Sequence, residues 1–298
     1  MAGLSPKNER QLRALIAKHQ LDPAAEAIVQ QAELCFSFSL SKRENYAAKG
    51  NSRYGGVPDL PASMPWPQSK DGYLNFLMQV NLQELPAAAN SGLPRKGILY
   101  FFIESDDTCT TASGEVLHFD GGRTSLKKAT APPNEELAHK EHYQDLVPYQ
   151  LKCSAGLSLP SYGSPLFKQV AELAAPNKDG DGGDRFFKLI DDALGMPKGK
   201  TAAAQLLGHP SNLGDDLREN AYLAATGKRK RIYDYKYRER NQKELHNQAE
   251  NWLLMWRINS SSKVGACIWD AGSLNIMIRK DDLKACDFSK VYLQIETG

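Results

Sequence analysis

A chain of 298 residues, 41% hydrophobic and 24% charged, is long enough to bury a core without staples, as one large domain or two medium ones, and its composition excludes a disordered or collagenous protein. Its 37 basic and 35 acidic residues leave a formal net charge of +2, which excludes a global electrostatic pull toward nucleic acid or membrane, so any basic site must be local. Five widely spaced cysteines, Cys35, Cys109, Cys153, Cys267 and Cys286, form no CxxC pair and read as reduced thiols of a cytoplasmic protein rather than a disulfide frame or a zinc site.

Residues 1–20 are polar and amphipathic and lack the apolar core and cleavage site of a signal peptide, so export is not expected. The longest apolar runs, 98–103 and 253–256, are strand-sized and far short of the roughly 18 residues of a membrane span. Ser5-Pro6 and Asp22-Pro23 each place a capping residue before a proline and an apolar-periodic stretch, which predicts two short leading helices. Residues 35–40 alternate apolar and small polar side chains, the pattern of a half-buried strand. The stretch 54–67, with Gly55 and Gly56 followed by four prolines, predicts an ordered loop, because a flexible linker would not carry Tyr54, Leu60 and Trp66.

Further strands are predicted over 74–82 and 97–104, and more weakly over 115–119 and 149–159. Helical patterns cover 164–174 and 184–194, with a linker-like segment at 176–183 between them. A helix follows Gly214, then a charged stretch at 228–243, then strands at 252–258, 272–279 and 290–295. Strands and helices come in groups without strict alternation, which predicts the α+β class: a largely antiparallel sheet with flanking helices. The expected organisation is a helical segment at 1–34, a first half at 35–175 and a second half at 176–298, the halves forming one compact unit.

The halves echo each other. Phe76-Leu77-Met78-Gln79-Val80-Asn81 matches Leu254-Met255-Trp256-Arg257-Ile258-Asn259. Residues 97–103, followed by Asp106-Asp107, match 272–278, followed by Asp281-Asp282. Gly56-Val57-Pro58 lies upstream in one half and Gly208-His209-Pro210 in the other. These matches predict a degenerate duplication, the alternative being that period-two patterning looks alike everywhere.

The run Ser52-Arg53-Tyr54-Gly55-Gly56-Val57-Pro58-Asp59-Leu60-Pro61, then Pro65-Trp66-Pro67, Phe76-Leu77-Met78-Gln79 and Gly97-Ile98-Leu99-Tyr100-Phe101-Phe102, resembles the motif series of the YwqG-like family of bacterial proteins. Leu207-Gly208-His209-Pro210, Trp252-Leu253-Leu254, Trp269-Asp270 and Asp287-Phe288-Ser289 resemble its carboxy-terminal pattern, so the resemblance covers about residues 35–296. It implies no established activity, catalytic residue or cofactor. In the second half the family carries Gln and Asp where this chain has Arg257 and Asn259, a shift of polar groups in the positive direction.

Several constellations are candidates for function. Gln79 and Arg257 hold equivalent positions in the two echoes and point either to a paired recognition site, with Arg257 taking an anion, or to solvent. Tyr54, Gly55, Gly56 and Trp66 suit a concave site in which backbone N–H groups approach a ligand and the indole stacks on it, or a packed loop. Residues 177–182 copy the first half of a calcium loop, but Lys188 stands where the bidentate Glu is needed. His139 and His142, with His118, match no zinc signature, and no serine or cysteine sits in a nucleophile elbow. Lys228, Arg229, Lys230 and Arg231 followed by Tyr233, Tyr235 and Tyr237 interleave basic and aromatic residues; on a strand the tyrosines would share one face and could stack bases.

The first expectation is therefore a non-enzymatic binding protein that holds a partner protein, in one version neutralising it, in a groove lined by the Gly/Pro loop, Gln79, Arg257, Trp269 and Asp270. The second is an enzyme on a small anionic substrate, with Asp270 as base and Arg257 as clamp. The third is nucleic-acid binding through 228–240. No cofactor, metal or membrane association is expected.

Overall fold

The structure is a computed structural model, and it describes residues 4–86, 92–105, 112–139, 143, 145–162, 164–174, 181–210 and 214–297. Among these described residues, eight α-helices and fourteen strands follow in chain order. They are α1 (Pro6–Lys18), α2 (Ala25–Gln31), β1 (Glu33–Arg43), β2 (Arg53–Tyr54), β3 (Asp59–Pro61), β4 (Gln68–Ser69), β5 (Gly72–Tyr73), β6 (Asn75–Asn81), β7 (Ile98–Ser105), β8 (Ser113–Phe119), β9 (Leu126–Lys128) and β10 (Tyr149–Ser158). Then come α3 (Pro165–Ala174), α4 (Asp181–Ala193), β11 (Ala204–Leu206), α5 (Leu217–Ala225), α6 (Tyr235–Arg240), α7 (Gln242–Ala249), β12 (Trp252–Asn259), β13 (Ser273–Arg279), α8 (Lys280–Lys284) and β14 (Tyr292–Glu296).

Ten strands form one antiparallel sheet in the order β14-β13-β12-β11-β1-β10-β2-β6-β7-β8. Read outward from the central pair β1–β10, each side carries four more strands. The short strands β2 and β11 occupy matching places, and so do β6 and β12. Both β6 and β12 are bulged in their pairing with the next strand, between Phe76 and Met78 and between Leu254 and Trp256. Gln79 faces Arg53 on β2 and Tyr100 on β7; Arg257 faces Gln205 on β11 and Asn275 on β13. Asn81 Nδ2 donates to the Gly50 carbonyl at 2.5 Å, and Asn259 Nδ2 to the Ala202 carbonyl at 2.7 Å.

Alternation along the strands gives the sheet two unlike faces. One row crosses it as Leu293, Ile276, Trp256, Leu206 and Phe36, and continues on the far side as Tyr54, Met78, Phe101 and Val116; all are buried in one apolar cluster. The sheet curls around that cluster: the rings of Phe101 and Trp256, from opposite halves, lie 6.3 Å apart, and Tyr54 Oη donates to the Asn259 carbonyl at 3.0 Å. The two edge strands, β14 and β8, approach each other, with His118 edge-on to Phe288 at 5.6 Å. The outer face is covered in three patches. Helices α1–α4 cover it near β10, α5 and α7 cover β12 to β14, and the loops around β3 and β9 cover β6 and β7.

Three local expectations are corrected. Asp22 does not cap: it begins a 3-10 turn, Asp22–Ala24, that makes no side-chain capping bond before α2 starts. Asp181, Gly182 and Gly183, placed in the linker-like segment 176–183, belong to the first turn of α4, and residues 176–180 of that segment lie outside the described residues. The stretch 228–243 holds a 3-10 turn, Arg229–Arg231, then α6 and the start of α7, and the Asp234 carboxylate accepts the Tyr237 N–H at 3.0 Å and caps α6. Tyr233, Tyr235 and Tyr237 therefore do not line one face of a strand: Tyr233 and Tyr235 are exposed, while Tyr237 is half-buried.

Candidate functional site

The motif residues between 50 and 61 are held by a buried polar network on the outer face. Arg53, with no exposed surface, is paired with Asp59 and lies 3.6 Å from Glu44. Gln79 closes the network: its Oε1 accepts the Asp59 N–H at 2.9 Å and its Nε2 donates to the Asn51 carbonyl at 2.7 Å. Tyr100 Oη donates to the Asp59 carbonyl at 2.7 Å, and Asn81 N–H donates to Ser52 Oγ at 2.9 Å. Burial raises the Glu44 pKa, but hydrogen bonds from Asn51, the Tyr46 N–H and Gln150, together with the Arg53 charge, bring it below the usual carboxylate range. Gln79 is thus spent on the fold.

Beyond this network, where β2 ends and β6 begins, the chain turns away from the sheet and leaves a cleft of about 490 Å³. Gly55 and Gly56 make the turn with φ of 76° and 68°. Their N–H groups donate to the Leu77 and Leu146 carbonyls at 2.9 and 3.0 Å, so neither is offered to a ligand. A Cβ on Gly56 would lie 2.1 Å from Tyr46 Oη, the group that accepts the Val57 N–H. Gly56 forms one wall with Trp66, whose Nε1 donates to the Leu74 carbonyl at 2.7 Å and whose ring packs edge-on to Phe102. Pro132, Tyr143 and Pro148 also line the cleft, Pro148 directly beside Gly56, and the exposed side chains of Arg43 and Asp145 border it.

Asn75, 2% exposed, lines this cleft. Its Nδ2 donates to the His139 carbonyl at 2.8 Å, and its Oδ1, equally buried, has no hydrogen-bond partner among the described residues. The described residues bordering the cleft include no serine, cysteine, histidine or lysine. Among them the titratable groups are Arg43, Tyr143 and Asp145, so the described residues place no nucleophile with an adjacent base in the cleft. Nothing in the sequence marked Asn75, because the residue stands inside an otherwise apolar strand pattern, and its orphan acceptor exists only once His139 has been brought to its other end.

The remaining candidates lie elsewhere. Tyr54 is wholly buried on the inner face, and burial raises its pKa. Arg257 is on the outer face, with β11, β1, β10 and β2 between its strand and that of Gln79, so the sheet separates the two. The acid whose charge reaches Arg257 is Asp191 of α4; Asp270 stands in an exposed turn after Trp269, beyond the end of β12. Lys228 and Arg231 lie over the Tyr237 ring at 6.0 and 5.4 Å, Arg229 over Tyr292 at 5.6 Å, and Arg231 is paired with Asp234 at 2.6 Å. Much of the basic run is therefore folded back onto the body. His142 lies outside the described residues, and among those described no group of three His, Cys, Asp or Glu is placed to hold a metal. No helix among them is long and apolar enough to cross a membrane.

Fold and cleft define an α+β protein built on a curled ten-stranded antiparallel sheet, with a cleft at the rim of that sheet. The chain belongs to the family described as a domain of unknown function, DUF1963, whose pattern matches residues 52–296. Among curated proteins, none matches it.

Proposed function

We propose that this protein is a binding protein whose occupant enters the cleft bordered by Gly56, Trp66, Pro132, Leu137, Tyr143 and Pro148. The occupant is a small, uncharged or zwitterionic organic molecule that presents an N–H or O–H donor beside an apolar group. The observation that carries the reading is Asn75 Oδ1, a buried acceptor without a partner among the described residues, in a residue that lines a cleft built mostly from aromatic, aliphatic and proline side chains. An unmet buried acceptor costs about 1–3 kcal/mol, which a ligand donor offsets. The volume lies within the range of small-molecule sites. Arg43 and Asp145 are of opposite sign, which suits a zwitterion better than an ion of either charge.

The test is a thermal-shift screen of free amino acids, their N-acetyl amides and nucleosides, followed by tryptophan fluorescence. A hit whose affinity falls at least tenfold in both Trp66→Ala and Asn75→Leu supports the reading. Hits indifferent to both changes, or no hit in the panel, count against it. A protein occupant would use the same wall through an inserted side chain, and the stoichiometric complex expected of a neutralised partner would be lost in Trp66→Ala.

Three further elements belong to this reading. Assignment within the family to the YwqG-like proteins is supported by the Gly-Gly-x-Pro, Trp-Pro and Phe-Leu-x-Gln series. An internal duplication is supported by the matching strand order, the two bulges and the paired Asn81 and Asn259 bonds, together with positive φ at both Gly55-Gly56 and Leu207-Gly208. A cytoplasmic location is supported by the unpaired thiols of Cys35, Cys153, Cys267 and Cys286.

A further inference from the structure

Two exposed charges of opposite sign, Arg43 and Asp145, border the cleft, and they reach it by different routes. Arg43 is the last residue of β1. Along that strand Phe36, Phe38 and Leu40 belong to the inner cluster, and Cys35, Ser37 and Ser39 alternate with them. Strict alternation would therefore send residue 43 to the outer face. The pairing with β10 slips before it does: Leu40 lies opposite Leu151, but Arg43 lies opposite Tyr149, so β1 carries one extra residue between them. Such a bulge re-aims the side chain that follows it. It puts Arg43 in the row of Tyr149 and, one strand further, Tyr54, at the end of the sheet where Gly55 and Gly56 turn away.

Asp145 precedes a stretch that is pinned to the same place. The Leu146 carbonyl accepts the Gly56 N–H at 3.0 Å, and the Val147 N–H donates to the Val264 carbonyl at 2.8 Å. The Pro148 carbonyl accepts the N–H of Glu44, the neighbour of Arg43, at 2.9 Å. Asp145 itself has a φ of 54°, a left-handed conformation that aspartate tolerates better than most residues. Among the described residues, neither the Arg43 guanidinium nor the Asp145 carboxylate is in an ion pair or a side-chain hydrogen bond, with the other or with a third group. Opposite charges that border one cleft and leave each other unpaired complement a ligand that carries both signs.

We propose, resting on the reading of the cleft as a small-molecule site, that the ligand is a free α-amino acid with an apolar side chain, and that Arg43 is the residue that selects it. The carboxylate pairs with the Arg43 guanidinium, whose fork of N–H donors matches two carboxylate oxygens. The ammonium is held by Asp145 and keeps N–H groups to spare for the acceptor Asn75 Oδ1. The apolar side chain lies against Trp66 and Phe76. Arg43 precedes residue 52, so the residue that sets the class of ligand is supplied from outside the segment that matches the family pattern.

The experiment is a calorimetric titration of the full chain at neutral pH with leucine and phenylalanine, each as the free amino acid, the carboxamide, the N-acetyl derivative and the N-acetyl amide that lacks both charges. The free amino acid is expected to bind at least tenfold more tightly than the carboxamide or the N-acetyl derivative. Arg43→Gln is expected to bring the free amino acid down to the affinity of the carboxamide, while the carboxamide stays within twofold of its wild-type value. Asp145→Asn, which keeps a residue tolerant of left-handed φ, is expected to do the same for the free amino acid and the N-acetyl derivative. Both changes are at exposed positions, so the variants are expected to fold. Equal wild-type affinities for the charged and uncharged forms overturn the proposal, and so does an Arg43→Gln variant that weakens every form alike. In those two cases, binding that still disappears in Trp66→Ala leaves the small-molecule reading of the cleft standing. No binding of any form also overturns the proposal, and the reading falls with it only if nucleosides bind no better.

Discussion

His209 shows how far a single residue depends on what folds over it. It follows Gly208, whose φ of 85° turns the chain, and it is 8% exposed. Its Nε2 lies 2.6 Å from the Gln31 carbonyl at the end of α2 and 3.9 Å from Glu33, with the charges of Arg218 and Asp216 also acting on it. Burial, partly opposed by Glu33 and the Gln31 carbonyl, holds its pKa below the ordinary 6.5. Below pH 6.5 the unfolded chain then binds a proton that the folded chain resists, so stability is complete above that pH and falls as pH drops toward the folded value. Urea midpoints from pH 8 to 5 are expected to decline more steeply below 6.5 in the wild type than in His209→Gln, which stays neutral; equal slopes would remove His209 as the cause. The sequence displayed Gly208-His209-Pro210 but gave no sign of the Gln31 carbonyl, which belongs to a segment far away in the chain. Gly55, Gly56 and Trp66 were legible as an ordered loop because their φ demands and bulk are local properties, whereas Tyr54, read as part of that loop, ends β2. Asn75 was not, because an orphaned acceptor is defined by which partners the fold fails to bring to it.

Elements followed local pattern wherever pattern was strong. Strands β1, β6, β7, β12 and β13 lie where alternation predicts them, and α1 starts at Pro6 with Ser5 Oγ accepting the Asn8 N–H at 3.2 Å. Patterning failed where an element is too short to carry a period, as with the three-residue β11, and where a helix is so polar that it reads as a charged loop, as with α6 and α7. The most consequential element is β1. It pairs with β10 along most of its length and with β11 through Phe36, Ser37 and Phe38, joining the two sides of the sheet. Yet β1 and both leading helices lie before residue 52, where the family match begins. Leu12, Ile16 and Ile28 of those helices are buried against α3 and α4. A chain beginning at residue 52 is therefore expected to lack a cooperative thermal transition, and adding residues 1–51 back should restore it; a native-like transition without them would show that the sheet closes in another way.

At the scale of the molecule, the inner cluster draws on both sides of the sheet, with Met78 and Ile276 buried in the same core. Met78→Ala and Ile276→Ala are each expected to cost about 2–5 kcal/mol and to lower one and the same calorimetric transition. Two separable transitions, each sensitive to one substitution, would mean that the halves unfold independently. The α+β class and the antiparallel sheet could be read from the grouping of elements, since strands that recur without intervening helices have to pair with their neighbours. The curl of the sheet could not, because it arises from contacts such as Phe101 with Trp256 that no local pattern records.

The place of β1 also sets an order of events in time. The strand is made early, but its partners on either side are residues 149–158 and 204–206, so during synthesis it waits, with both edges unsatisfied, for most of the chain to follow. Pairings this distant in sequence form slowly and leave sticky edges exposed meanwhile. The nascent chain is most vulnerable to aggregation not at its end but in the long interval before β11 arrives, and Phe36 and Phe38 are what a chaperone would have to shield during that interval.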